Sequence, residues 1–344
     1  MTLNRRRPRA LLLTAALATA TFVGAATAAT PAPPVGAATA AINLATTSTT
    51  PTQAPAETSP PVPLLWKVSD EDNSIYLLGS FHLLLPGDYP LSRDVDLAFA
   101  DAEKLLFEIA PEELASPQLG LQMAQAAMRT DGTTLDQELG PELAAKLASW
   151  GRENAAQLAA TGLNVEFLQR FEPWFVGTMV TVTQMMALGF DPSIGLDAHM
   201  GGRAQAKQKP SAGLETGAEQ IAFLDGMEPA EQVQMLEQAL EQAGSGTDQL
   251  LELHAAWRAG DVQALLEGTV AEMRRDFPVL YQAINVERNN AWLPKLEARL
   301  REEDEDDTLV VVGAMHLLGE DGVVEKLRAK GYTVERVCSA CASP

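Results

Sequence analysis

Cysteine and histidine are scarce in this sequence, and basic side chains are few beside acidic ones. Two cysteines in 344 residues exclude a disulfide-built scaffold and a cysteine-ligated zinc module. Only 25 Lys and Arg stand against 46 Asp and Glu, a formal net charge of −21. So acidic a surface repels phosphate backbones and anionic headgroups, which argues against nucleic acid or charged lipid as a partner. Several motifs are missing as well. There is no H-E-x-x-H, P-loop, G-x-G-x-x-G or G-x-S-x-G, which removes the zincin, nucleotide-binding and nucleophile-elbow chemistries. What is present suits a globular body: 46% of residues are hydrophobic and 21% charged, enough to build a sizeable core.

The two ends read differently from the middle. Arg5, Arg6, Arg7 and Arg9 precede an apolar, Ala- and Thr-rich stretch from Ala10 to Ala26, and Ala26-Thr27-Ala28 supplies a small-x-small cleavage pattern. Residues 1–28 are therefore expected to be a signal peptide. The stretch is too weakly hydrophobic for a durable anchor, so the mature chain should start near Ala29, carry no membrane span and reside in the periplasm or outside the cell. Residues 29–63 hold eight prolines and one charged residue, Glu57, the composition of a disordered linker. A folded domain is expected over 64–337, followed by a tail, 338–344, with a C-x-x-C at Cys338 and Cys341. No helix can follow that pair as a redox motif requires, so it reads as a small disulfide.

Within the body, Leu64–Val68 and Ile75–Leu78 flank the turn-forming Asp70-Glu71-Asp72-Asn73 and read as a hairpin. Leu105–Ile109 follows a helix over Arg93–Glu103. The stretch 117–275 is rich in Ala, Leu, Gln, Met and Glu at helical spacing and predicts about seven helices, with one short strand at Ala212–Glu215. A helix over Val279–Leu300, an acidic connection over Glu302–Asp307, the buried strand Thr308–Val312, a helix over Gly322–Lys330 and a strand at Tyr332–Val337 complete the domain. The expected fold class is α/β: a mixed sheet built from N- and C-terminal strands, with a large helical insertion in the middle.

Of the four histidines, two share one local sequence. Leu77-Leu78-Gly79-Ser80-Phe81-His82-Leu83-Leu84 matches Val311-Val312-Gly313-Ala314-Met315-His316-Leu317-Leu318. Each is an apolar strand running into G-x-x-H-L-L, with the glycine expected to permit a sharp turn at the strand end. Both imidazoles are then expected at one carboxyl edge of the sheet, where open α/β sheets place ligands. Glu108 lies inside an apolar strand, where a carboxylate must be paired, protonated or bound to a cation. Two imidazoles and a carboxylate suit a divalent metal site or a metal-free acid/base site. If Glu108 serves such a site, Glu108→Gln should leave the melting temperature nearly unchanged; if it is structural, it should meet a base such as Arg288. His199 is a weaker candidate, Ser80 reads as part of the turn, and His254 as a packing or surface residue.

These motifs resemble the TraB/GumN family, whose members include the Tiki metalloproteases. The resemblance rests on Gly79–His82, Gly313–His316 and Glu108. It extends through Gly195-Leu196-Asp197, Gly213-Leu214-Glu215-Thr216 with Glu219-Gln220, and Arg288-Asn289 ahead of Trp292. It implies an exported, metal-dependent hydrolase acting on a peptide or small-molecule substrate, peptide bonds first. His82, His316 and Glu108 would be metal ligands and catalytic groups, Glu108 being a ligand or the general base. Gly79, Gly313, Asp197, Glu215 and Arg288 would support them. Relatives with a similar fold imply haem binding or ester hydrolysis instead, and the rival reading is a non-enzymatic protein whose pocket sequesters haem, metal or a peptide signal.

Overall fold

A computed structural model of the chain describes residues 59–160, 162–244, 248–302 and 305–342. The hairpin forms as its turn chemistry demands. Strands β1 (Leu65–Ser69) and β2 (Ser74–Ser80) pair antiparallel, and Asp70 Oδ1 accepts the Asp72 and Asn73 N–H groups in the turn. Strands β3 (Lys104–Ile109), β4 (Ser211–Glu215), β5 (Thr308–Gly313) and β6 (Thr333–Arg336) complete one mixed sheet in the order β4-β3-β5-β2-β1-β6. β5 is buried at every residue, as a β-branched run at the centre of a parallel array must be. It pairs parallel with both β2 and β3, and β3 pairs parallel with β4. The carboxyl ends of β2, β5, β3 and β4 therefore share one edge.

Helix α1 (Arg93–Asp101) links β2 to β3. Between β3 and β4 run α2 (Pro117–Ala127), α3 (Leu135–Glu153), α4 (Pro173–Ala187) and α5 (Leu196–Lys207). Between β4 and β5 run α6 (Gly217–Asp225), α7 (Pro229–Gly244), α8 (Asp248–Ala259) and α9 (Arg288–Leu300); α10 (Val323–Ala329) precedes β6. α4 is apolar on nearly all sides and buried, the property of a helix at the heart of a bundle. Gly177 lets it approach α7, since a Cβ there would stand 3.1 Å from the Leu236 backbone.

Two segments depart from the sequence reading. The helix expected over Val279–Leu300 forms without a break but is irregular: Pro278–Tyr281 is α-helical, Gln282–Glu287 is π-helical, and α9 continues from Arg288. An extra residue per turn rotates the helix beyond it, and with it the direction in which Arg288 leaves the backbone. The expected linker also ends early. Pro61 and Pro63 are buried, Val62 N–H donates to Arg258 O (2.8 Å) and Arg336 Nη2 to Pro63 O (2.7 Å). The expected signal peptide and residues 29–58 lie outside the described residues.

At the other end, Cys338 and Cys341 form a disulfide, and Ser339 N–H donates to Asp94 in the first turn of α1 (2.7 Å). Among the described residues no helix is long and apolar enough to cross a membrane.

Candidate functional site

The shared sheet edge gathers side chains from segments more than 200 residues apart. His82 follows β2, Glu108 lies on β3, Glu215 ends β4, and His316 sits on a single 3₁₀ turn (Ala314–Leu317) directly after β5. His82 Nε2 lies 4.0 Å and His316 Nε2 3.9 Å from the same atom, Glu108 Oε1. Each ring is oriented through its other nitrogen. His82 Nδ1 donates to Asp197 Oδ2 (2.7 Å), a carboxylate that also accepts the Ser80 hydroxyl. His316 Nδ1 donates to Asn289 Oδ1 (2.8 Å), whose amide nitrogen donates in turn to Asp321 O (2.8 Å). That amide direction fixes the His316 tautomer with its lone pair on Nε2.

Arg288 holds the opposite side. Its Nη2 donates to Glu108 Oε2 (2.6 Å) and Glu215 Oε1 (2.5 Å), its Nε to both Glu215 oxygens, and its Nη1 to His316 Nε2 (3.2 Å). The guanidinium lies over the Trp292 ring, whose Nε1–H donates to Glu215 (2.9 Å) and whose face packs on His316. Gln220 donates to Glu215 (2.5 Å) and Glu108 (3.3 Å), and Gly313 N–H donates to Glu108 Oε1 (2.7 Å).

The glycines of the two motifs serve a purpose other than the expected turn. Neither has positive φ. A Cβ on Gly313 would stand 3.2 Å from both Glu108 Oε1 and His82 Nε2 and 3.5 Å from His316 Cδ2, so any side chain would occupy the space between the three groups. A Cβ on Gly79 would press on Leu64 Cβ at 2.9 Å.

The two imidazoles are driven in opposite directions. Burial disfavours the charged form of His82, but the Asp197 carboxylate, its hydrogen bond and Glu108 outweigh burial and push the pKa up to about 9. Burial and the Arg288 cation push His316 down to about 3. Glu108 is also buried, yet Arg288 beside it and the Gly313 N–H hold its carboxyl well below the usual carboxylate range. With neutral imidazoles, the carboxylates of Glu108, Glu215 and Asp197 face one guanidinium, so the cluster lacks two positive charges. A proton on His82 supplies one.

Residues 64–336 match the model of the TraB/PrgY/gumN family. The chain belongs to that family. Among curated relatives, the Uncharacterized protein YbaP of Escherichia coli (strain K12) is 23% identical over 256 residues, 74% of this chain and 87% of the relative, and YbaP of Shigella flexneri aligns equally. No solved structure matches the chain at a significant level. In this TraB/PrgY/gumN chain the structure places His82, His316, Glu108, Gly313, Asp197, Glu215 and Arg288 in one cluster, whereas Gly79 faces Leu64 and Ala314 instead.

His199 is not among them. Its ring packs on Tyr89 at 4.5 Å, because on α5 it points away from Asp197, two residues earlier. His254 is a packing residue, buried against Phe81, Phe190 and Trp257 with Nε2 on Asp88 (2.9 Å). Ser80 does more than turn the chain, since it hydrogen-bonds Asp197. Asn289, Gln220 and Trp292, which entered the sequence reading only as part of the family resemblance, carry roles in the cluster that residue type alone did not disclose.

Gly195 seats α5 against the His82 loop: Leu196 N–H donates to Phe81 O (3.1 Å), and a Cβ on Gly195 would stand 1.8 Å from His82 O. Gly195→Ala is expected to destabilise the fold by about 1–3 kcal/mol or more and to separate Asp197 from His82. Urea unfolding measures the first effect. A variant of unchanged stability would show that the close approach is not needed.

Proposed function

We propose that this chain is an exported hydrolase, acting on peptide bonds first, whose reacting groups are His82, His316 and Glu108. One observation carries the reading. Two imidazoles, each anchored at Nδ1, turn their Nε2 atoms toward one oxygen of one buried carboxylate. Anchoring of the distal nitrogen is how proteins orient histidine ligands. Export is supported by the N-terminal sequence, and an oxidising compartment suits the paired Cys338 and Cys341.

The donor chemistry fits a divalent cation. The ligands would be His82 Nε2, His316 Nε2 and Glu108 Oε1, and once His82 gives up its proton the buried cluster lacks the two positive charges that such an ion brings. The donors are not drawn together as they stand: among the described residues no group of three or more His, Cys, Asp or Glu is placed to hold a metal. Bonds of about 2.1 Å at a tetrahedral angle set donors roughly 3.4 Å apart, so the 3.9 and 4.0 Å separations must close by about half an ångström. The contact of Arg288 Nη1 with His316 must also open. When bound, the ion would polarise a carbonyl and lower the pKa of a coordinated water. Asp197 would hold His82 and keep a proton on its Nδ1. Arg288 and Gln220 would keep Glu108 ionised, which favours Glu108 as a ligand over Glu108 as a general base, because so weak a base accepts protons poorly.

The Arg288–His316 contact favours a second reading, acid/base hydrolysis without metal. There the protonated His82 would donate to the leaving group, and Arg288 would stabilise developing negative charge. Metal analysis of the purified chain, with activity on a peptide library, separates these readings. The expected result is about one divalent ion per chain and peptide cleavage, both lost in His82→Ala. Cleavage that persists after chelation, with no bound ion, would favour the second reading. An inert chain with a full complement of metal would point to sequestration.

A further inference from the structure

Of the two histidines outside the cluster, His254 is the buried one, and its partner Asp88 is only 1% exposed. Burying a carboxylate is costly unless donors surround it, and three donors reach Asp88. His254 Nε2 and Leu85 N–H meet Oδ2 at 2.9 and 2.7 Å, and Arg258 Nη1 meets Oδ1. Burial opposes the charge on Asp88, yet these donors hold its carboxyl below the usual range. A carboxylate only accepts, so His254 carries its hydrogen on Nε2.

Asp88 lies on the loop that leaves β2 at Ser80 and carries His82. Helix α8 holds that loop at three points. Trp257 Nε1–H donates to Gly79 O (3.1 Å), the His254 and Trp257 rings lie 5.6 and 5.8 Å from the Phe81 ring, and His254 takes Asp88. Phe81 is the residue next to His82. From the other side Leu196 N–H donates to Phe81 O, and Asp191 and Leu84 exchange backbone hydrogen bonds; that segment runs directly into Asp197. The matching turn after β5 is backed by apolar contacts instead. Ala314, Met315 and Leu318 border a small gap with Leu253 and Trp257, and Asn289 orients His316. We propose that His254 is a positioning residue: its bond to Asp88 and its ring on Phe81 set the loop so that His82 Nδ1 meets Asp197 and Nε2 faces Glu108. The consequence for turnover rests on the hydrolase reading, whereas the positioning is measurable without it.

Ring-¹⁵N labelling of the histidines in the folded full chain provides the test, since four histidines give separable signals. His254 should show its hydrogen on Nε2, and His82 and His316 hydrogen-bonded hydrogens on Nδ1. His254→Phe keeps an aromatic ring on Phe81 and removes the donor. In that variant the His82 Nδ1–H signal is expected to move upfield and exchange with water about tenfold faster, while that of His316 stays in place. His254→Gln, whose amide can reach Asp88, should restore the parent signal. Leu147→Ala, a truncation of a buried side chain on α3, controls for general loosening and should move neither signal. His254→Asn, too short to reach Asp88, replaces His254→Phe should that variant not fold. Cleavage of the peptide library is scored on the same samples. A His254 with a bare Nε2, an unmoved His82 signal in the donor-less variant, equal displacement of His316, equal displacement in Leu147→Ala, or no rescue by glutamine would overturn the inference. The expected signals in a parent chain that cleaves nothing would leave it standing and remove the hydrolase reading instead.

Discussion

Arg288→Met is expected to destabilise the protein by about 3–5 kcal/mol, the cost of breaking a buried ion pair from one side. In a domain of this size that lowers the melting temperature by on the order of 10 °C. The substitution keeps the bulk of the side chain but leaves two largely buried carboxylates, Glu108 and Glu215, without the cation both contact. It also strips His316 Nε2 and the Trp292 face of their partner. Arg288→Lys should fall between, since an ammonium keeps the charge but cannot fork to both acids. Thermal melting of the three proteins decides it. An Arg288→Met variant melting within about 2 °C of the parent would mean that the guanidinium does not hold the cluster together.

The same geometry reverses the sequence-based expectation for Glu108→Gln, that stability stays nearly unchanged if Glu108 serves a metal. Instead Glu108 meets Arg288, together with Gln220 and Gly313, so three N–H donors surround it. A glutamine amide turns its own NH₂ against at least one of them. The loss should be smaller than for Arg288→Met, because Arg288 keeps Glu215. The double variant should lose less than the sum of the two. Glu108 is thus structural, whatever part it takes in the proposed chemistry.

Asp197→Asn is expected to return the His82 pKa from about 9 to 6.5 or below, because burial is then opposed by Glu108 alone. A pKa raised in the folded state contributes stability that is fully present below the unfolded value near 6.5 and lost as pH rises through about 9. The shift of about 2.5 units corresponds to about 3 kcal/mol. The variant should therefore be less stable than the parent by about that much at pH 6, with the gap closing toward pH 10. His316 acts with the opposite sign. Its pKa is depressed to about 3, so between pH 3 and 6.5 the unfolded chain binds the extra proton and stability rises with pH. From this pair alone, stability peaks near pH 6.5. NMR titration of the imidazole C2 protons, with urea unfolding at pH 6 and 10, checks both claims. A parent His82 that titrates near 6.5 would remove the basis for the prediction.

Much of this molecule is legible in its residues. Strands β1, β2, β3 and β5 are signalled by apolar or β-branched runs, and uncharged, largely β-branched Thr308–Val312 could be nothing but a buried centre. The duplicated G-x-x-H-L-L and a glutamate inside an apolar strand pick out His82, His316 and Glu108, because a polar group in such a context must find a partner. Local sequence determines local structure and which side chains have unmet needs. It does not determine who meets them. The parallel order β3-β5-β2 brings Glu108 within about 4 Å of two histidines 234 residues apart in the chain, and that order depends on long-range pairing that no local signal encodes. The motif glycines read as turn formers and prove to be clearances, since the space a Cβ would fill is defined by Glu108 and His82 at Gly313 and by Leu64 at Gly79, all arriving from elsewhere. The π-helical stretch before Arg288 shifts the period inside the one helix that the sequence presents, and tertiary packing decides which side of α9 faces the acids. The opposed titration of two imidazoles in near-identical sequences is likewise tertiary. Asp197 docks on one and Arg288 on the other, and charges within a few ångströms in a buried site outweigh anything the flanking residues contribute.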